Sequence, residues 1–442
     1  MYAASVAALL YFSEGLPFGI VNDLLPVYLR VHHVELTTIG FLSTVASAWT
    51  LKVFWSPLID AFGTYRRWIA TAVLAMAICM VTLAVMPEIG SREPGVGSRS
   101  THSISPTPDS PLPTPVFWTI ITIFAIASAT QDLAVDAFTI RATPKEYIGP
   151  VNSIRVAAYR TALIVGGGGL VALSGVIGWR GSFAASALIA VIVLVVALRL
   201  PEDRGDRFVA ESCGLEVTGR EQPRDHATAR PRNRQSIVDL FRGLGEWLRR
   251  PRAGILLAIV LLYRLGELAI YAMIKPYWVD RGYSPAEIGT ITAVIGVIVS
   301  ILGAIAGGAI VARIGLYRAM LWLGAAQILS NLGYAIVATT NAGRWAIYAA
   351  AIVENIGYGL GTGAFLAFLM AICDRERAAT EYAMLTAAFG LTRVLIGTPS
   401  GWIAQHEGYA TYFWLTVFLG IPGLLLLPFV KQRLTPIKLS SL

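Results

Sequence analysis

Apolar residues run in long blocks along this chain, and the blocks have the length a bilayer requires. A hydrocarbon core about 30 Å thick is crossed by roughly 20 helical residues. Runs of that length fall near 4–29, 38–59, 68–87, 115–139, 151–173 and 182–199. After a polar interval they resume near 254–279, 287–311, 319–339, 345–370, 382–403 and 411–430. The pattern predicts an all-α integral membrane protein with twelve transmembrane helices, arranged as two six-helix bundles. The first run carries Glu14, Pro17 and Asp23. It is too long and too polar for the apolar stretch of a cleavable signal peptide, so it reads as the first span.

Two polar intervals are long. Residues 88–114, rich in Pro, Ser, Thr and Gly, read as a disordered loop. Residues 200–253 read as a linker, giving an expected division into 1–199, 200–253 and 254–442. The end of the linker has helical periodicity: Ser236 can cap a helix whose apolar face holds Ile237, Leu240, Phe241, Leu244, Trp247 and Leu248. Lying on the membrane surface, it would bring Arg242, Arg249, Arg250 and Arg252 near anionic headgroups.

The two halves repeat each other in order. Tyr11, Glu14-Gly15, Pro26, Glu35 and Ile39-Gly40 are answered by Tyr263, Gly266-Glu267, Pro276, Glu287 and Ile288-Gly289. Gly63-Thr64-Tyr65-Arg66 is answered by Gly315-Leu316-Tyr317-Arg318, and the fifth helix of each half carries a central arginine, Arg160 and Arg393. Parallel repeats of this kind build the major facilitator architecture.

Composition agrees with a membrane protein. The chain is 55% hydrophobic and only 14% charged, against about 25% charged in soluble proteins. Its net charge of +8 gathers between the apolar runs, which fits membrane topology better than nucleic-acid binding, and no nucleic-acid partner is expected. Arg66, Arg67, Arg141, Lys145, Arg313, Arg318, Arg375 and Arg377 would share one side with the linker and the basic tail, leaving few cations opposite. That bias predicts cytoplasmic N- and C-termini. Cys79, Cys213 and Cys373 form no metal or redox spacing, and no metal site is expected.

Twelve ionisable residues fall inside the predicted spans: Glu14, Asp23, Asp132, Asp136, Glu267 and Glu354, with Lys52, Arg155, Arg160, Arg264, Lys275 and Arg393. Each would cost about 2.5–3.5 kcal/mol at a lipid-facing helix centre, so most must face one another or a wet cavity. Arg264, Glu267, Tyr271 and Lys275 form one stripe along the seventh helix, and Asp132 and Asp136 lie one turn apart on the fourth. A central solute site is therefore expected from Lys52, Arg160, Arg264, Glu267, Tyr271, Lys275, Glu354 and Arg393. Asp132 and Asp136 are also candidate structural partners of Arg155 or Arg160. All five histidines fall in loops or at helix ends, so proton coupling would fall to carboxylates, with Glu14, Asp23, Asp132, Asp136 and Glu267 as candidates. Glu14 and Asp23, nine residues apart, would face opposite ways on an ideal helix unless Gly15, Pro17 or Gly19 kinks it.

Glycine clusters at 166–169, 303–308 and 357–363 lack the strand and Lys-Ser/Thr of a nucleotide loop and read as close helix packing. Trp49, Trp55, Tyr159, Tyr271, Trp278 and Tyr358 could stack on a solute or anchor at the interface. Asp60-x-x-Gly63-x-x-Arg66-Arg67 resembles the signature loop of the major facilitator superfamily, with Asp60, Arg66 and Arg67 as a gating latch; the second-half copy has Ala312 in place of the aspartate.

More specific strings resemble the AmpG-like permeases of that superfamily. They are Phe12-x-x-Gly15-Leu16-Pro17, Lys52-x-x-Trp55-Ser56-Pro57-Leu58-x-Asp60, Ser128-Ala129-x-Gln131-Asp132-x-x-x-Asp136, Tyr263-Arg264-Leu265-Gly266-Glu267 and Glu354-Asn355. The likeness covers most of the chain outside the two long polar intervals. It implies a proton-driven importer of anhydro-muropeptides, the sugar–peptide fragments of cell-wall recycling, in a bacterial inner membrane. The expected partners are the lipid bilayer, protons and a small anionic solute. The expected cofactor is none, the proton gradient being the energy source, and the working unit is expected to be a monomer. Alternatives are a transporter of the same fold for a siderophore or acyl-CoA-like solute or, from another class, a membrane-embedded enzyme or receptor.

Overall fold

A computed structural model describes residues 2–62, 64–87, 115–142, 148–200, 245, 247, 249–373 and 378–434. The polar loop, most of the linker and several of the basic residues used for orientation (Lys145, Arg375 and Arg377 among them) lie outside the described residues. So do the side chains of Asp60 and Arg141.

Helices are the only regular structure among the described residues, as a chain in hydrocarbon requires when each backbone N–H and C=O must be satisfied within its own segment. The twelve passes are α1 (2–31), α2 (36–61), α3 (Tyr65–Val85), α4 (Pro115–Ala142), α5 (148–177), α6 (179–198), α7 (Ala253–Asp280), α8 (Pro285–Ile314), α9 (Leu316–Thr340), α10 (Arg344–Ile372), α11 (378–407) and α12 (409–434). Helices α5 and α6 follow without a break in helical hydrogen bonding except at Gly178, and α11 and α12 likewise turn at Gly408. Both glycines hold a positive φ, +74° and +79°, which a side chain would strain. The same device at the same place in each half restates the repeat in three dimensions.

Several spans are not straight α-helices. Helix α1 passes through a π-turn at Ile20–Leu24, α5 through one at Ile164–Gly169, and α8 through one at Gly289–Ile295. Helix α7 breaks at Arg264, which caps its second segment. Such irregularity is tolerated in a membrane where it is buried in protein or lines a cavity. The outward faces are apolar: Val85, Val176, Leu302, Trp345 and Phe429 are among the large exposed side chains.

Successive turns put the chain termini at one end of the bundle, here the terminal end, and the turns at 32–35, 178, 281–284, 341–343 and 408 at the other, the distal end. The halves meet toward the distal end along two seams. Helices α2 and α11 cross at Gly40 and Gly397, where a Cβ on Gly40 would lie 2.8 Å from the Gly397 carbonyl. Helices α5 and α8 cross at Gly168 and Gly289. One hydrophobic core accordingly runs from the first half into the distal part of the second, through Tyr28, Phe183, Tyr277, Tyr334 and Phe413. A second core fills the terminal part of the second half.

Trp247 belongs to that second core, 1% exposed. This corrects the expectation of a surface helix at its C-terminal end: an apolar periodicity suits a protein groove as well as a lipid surface. Arg250 does not reach for headgroups. It forms a two-pronged ion pair with Glu381 of α11, with one N–O distance of 3.0 Å.

Candidate functional site

The intramembrane charges sort into four groups. In the first half, α1 and α4 bring three carboxylates together, and α2 and α5 supply two cations. The Arg155 guanidinium lies 2.8 Å from Asp136 and 4.0 Å from Glu14. Lys52 reaches Asp132 at 3.5 Å. Glu14 and Asp132 are 4% and 8% exposed, and Glu14 Oε1 and Asp132 Oδ1 find no hydrogen-bond partner among the described residues. Three acids against two bases leave this nest with one negative charge too many for a dry site. Asp132 and Asp136 do lie together, as their one-turn spacing predicts; their partners are Lys52 and Arg155, and Arg160 takes no part.

In the second half, Arg264 and Glu267 form a buried two-pronged pair, with Nε to Oε2 at 2.8 Å. Gln327 of α9 also donates to Glu267, and the guanidinium lies 4.8 Å from the ring centroid of Tyr358. The break in α7 at Arg264 lets the two side chains close on each other three residues apart.

The third group joins the halves. Lys275 Nζ stands 2.5 Å from Asp23, and the Tyr271 hydroxyl donates to Asp23 at 2.8 Å. Asp23 lies in the π-turn of α1, so it and Glu14 serve different neighbours: Glu14 the first-half nest, Asp23 the seventh helix. Asp23 and Lys275 lie on the first helix of each repeat, and their contact joins the two halves with opposite charges. Further out, Arg30 makes a two-pronged pair with Asp280 at 2.6 and 2.7 Å, and Tyr409 donates to the same carboxylate.

The fourth group lines open space. A cavity of about 80 Å³ is bounded by Phe18 and Asp23 of α1, Arg160 of α5, Glu267 and Tyr271 of α7, Glu354 and Tyr358 of α10 and Arg393 of α11. A cleft of about 60 Å³ lies beside it, lined by Asn22, Ser43, Lys275 and Gly397. Tyr271 and Arg393 border both spaces. Arg393 lies 5.2 Å from the Phe18 ring centroid, and its Nη1 is buried with no hydrogen-bond partner among the described residues.

Arg160, Arg393, Glu267, Tyr271 and Glu354 are therefore gathered around one cavity. Lys52 lies apart, in the first-half nest. Lys275 and Arg264 are each engaged by a carboxylate. Trp278 is 0% exposed and donates to Tyr334 within the aromatic core, so it anchors packing and offers no face to a solute. Trp55 is held by Thr130 at 3.1 Å. Of the latch, Arg66 and Arg67 stand at the start of α3, beside Thr64, whose hydroxyl accepts from the Arg67 N–H. Phe18 and Gln327 carry roles that the sequence reading missed. Gln327 was findable as an amide in the middle of an apolar span; Phe18 left no signal beyond its apolarity.

Two parallel six-helix repeats that close around a polar cavity, joined across it by charged and glycine-lined contacts, have the architecture of a membrane transporter. The chain belongs to the Major Facilitator Superfamily, whose sequence profile matches residues 7–397, and this family is one of membrane transporters of small solutes, not of enzymes. Over 438 residues the chain is 29% identical to the anhydromuropeptide permease of Escherichia coli (strain K12), covering 98% of this chain and 80% of that one. Among solved structures it is similar to a D-xylose–proton symporter, with a TM-score of 0.67 at 14% identity over 96% of both chains. It is also similar to a bacterial homologue of the human lysosomal transporter Spinster in an inward-facing, unoccupied conformation, with a TM-score of 0.69 at 13% identity over 99% of this chain and 98% of that one.

Proposed function

We propose that this protein imports an anionic sugar–peptide of the anhydro-muropeptide kind across a bacterial inner membrane, by proton-coupled alternating access. The observation that carries the reading is the pair of arginines. Arg160 from the first half and Arg393 from the second border one cavity, and neither is ion-paired to a carboxylate among the described residues. Both side chains are half-buried, and Arg393 also buries one guanidinium nitrogen without a hydrogen-bond partner among the described residues, a group that is costly to leave unmet; an anion brought from outside completes the site. Two guanidiniums match carboxylates by planar, two-pronged hydrogen bonds. An anion held between them would tie α5 to α11, and with them the two halves. The likeness to the Escherichia coli permease supports the sugar–peptide class.

With both termini cytoplasmic, the closed distal end faces outward, and this is the inward-facing or occluded stage of the cycle. The Asp23–Lys275 and Arg30–Asp280 pairs and the two glycine seams are what must part for the solute to enter. The nest of Glu14, Asp132 and Asp136 is the proton site. One bound proton would bring its three acids and two bases to neutrality, and the loaded nest could then cross between states without an uncompensated buried charge. Asp23 and Glu267, each held by a cation, serve as locks in this scheme and not as carriers.

The test is uptake of a labelled anhydro-muropeptide into proteoliposomes, with and without an inward pH gradient. Uptake should be accelerated by the gradient. Arg160→Ala and Arg393→Ala should each lower it at least about tenfold, the scale of a lost charge-assisted hydrogen bond, while the protein still inserts. Full uptake by both variants would remove the arginine pair from the site. Uptake of an acyl-CoA or a siderophore in place of the muropeptide would replace the substrate and keep the cycle.

A further inference from the structure

The charges around the central cavity do not add up to a site for an anion alone. Three carboxylates border the cavity: Asp23, Glu267 and Glu354. Asp23 is held by Lys275 and Tyr271, and Glu267 by Arg264 and Gln327. Glu354, on α10, is 4% exposed and has neither an ion pair nor a side-chain hydrogen bond among the described residues. An anion would satisfy Arg160 and Arg393 and leave this carboxylate facing the filled cavity with no counter-charge, where an unpaired charge is unfavourable once the solute displaces water. The cavity therefore presents two open positive groups and one open negative group.

We propose that the central cavity recognises a zwitterion: carboxylate on Arg160 and Arg393, and a substrate ammonium on Glu354. This rests on the transport reading above and narrows it, because it requires the sugar–peptide to carry a free amine as well as its acids. The arrangement gives specificity through what is left unpaired. A solute lacking the amine would bury Glu354 without a partner, and a site built to bond a polar group rejects the analogue that lacks it. It also opposes simple dianions, which would meet Glu354 as a like charge.

Two probes test it in proteoliposomes: an anhydro-muropeptide whose peptide bears a free side-chain amine, and the same compound with that amine acetylated. Wild-type protein should take up the free amine about tenfold or more faster at low concentration, the scale of a lost hydrogen bond between charged groups. Glu354→Gln should erase that preference by slowing the free amine alone, and Glu354→Asp should retain part of it. The wild-type comparison needs no variant to fold. Equal uptake of both probes by wild type overturns the zwitterion assignment and leaves the muropeptide reading standing; uptake of neither refutes both. If Glu354→Gln loses gradient-driven uptake of both probes yet still exchanges both across the membrane, Glu354 is a proton carrier and the assignment is wrong.

Discussion

Removing the Lys275 ammonium should open the distal end of this protein. In the structure Lys275 and Asp23 are 2.5 Å apart, 6% and 9% exposed at their side chains, and only the Tyr271 hydroxyl would remain on the carboxylate. Breaking a buried pair by deleting one partner costs about 3–5 kcal/mol, because the survivor is left uncompensated. In a distal-open state Asp23 would be wet and would lose far less. Lys275→Met should therefore shift the closed-to-open equilibrium by most of that energy, about a hundredfold to a thousandfold at 1.4 kcal/mol per decade. A closed state favoured about a hundredfold would be brought to an even mixture or beyond it.

The companion substitution decides whether the pair is the cause. Asp23→Asn alone strands Lys275 and should open the molecule too, whereas Asp23→Asn with Lys275→Met leaves no buried charge and should close it again, an interaction energy read directly from the cycle. Spin labels at His33→Cys and Glu407→Cys, on the distal turns of the two halves, report the opening as a longer distance by pulsed electron resonance, in a background with Cys79, Cys213 and Cys373 replaced by serine. Additive effects of the two substitutions, or an unchanged distance in Lys275→Met, would refute the lock.

The same labels test the glycine seams. Gly40→Leu or Gly289→Leu inserts a side chain where the facing helix backbone stands in contact, so each should separate the distal turns and abolish net uptake, at an overpacking cost of about 1–3 kcal/mol; wild-type distance and uptake would show that the seams carry no closure. In the first-half nest, Glu14→Gln or Asp132→Asn should abolish acceleration by a pH gradient while leaving solute exchange intact, measured by counterflow in the same vesicles; unaltered gradient dependence in both would remove the nest from coupling. Trp247→Ala should lower stability by about 3–5 kcal/mol through the terminal core of the second half, read as a drop in the thermal unfolding midpoint in detergent, and a surface helix resting on lipid would show no such drop.

The number and order of helices were legible because each needs its own run of apolar residues, and the bilayer permits little else. The turns were less so. Nothing in the apolar pattern marks Gly178 or Gly408 as the only interruption between two spans, since a glycine inside a membrane helix is as often a packing contact. Local charge geometry could be read where it depends on helical spacing: Arg264 and Glu267, three residues apart, do pair. It failed where the partner is distant in sequence. Arg155 and Arg160 lie on one helix, five residues apart, and periodicity could not say which of them Asp136 would choose.

The most informative contact was in the sequence but needed the fold to be recognised. Asp23 and Lys275 lie on the first helix of each repeat, and no pattern in one dimension says which residues of those helices meet where the halves join. Once the contact is seen, the opposite charges become meaningful. A symmetric pair of acids or of bases there would repel and hold the distal end open; one acid and one base hold it shut. In the proposed cycle it is this contact of opposite charges that makes the junction a lock. Arg160 and Arg393, on the fifth helix of each half, carry the same charge instead; neither is ion-paired among the described residues, and in the proposed cycle an anionic solute completes the cavity between them.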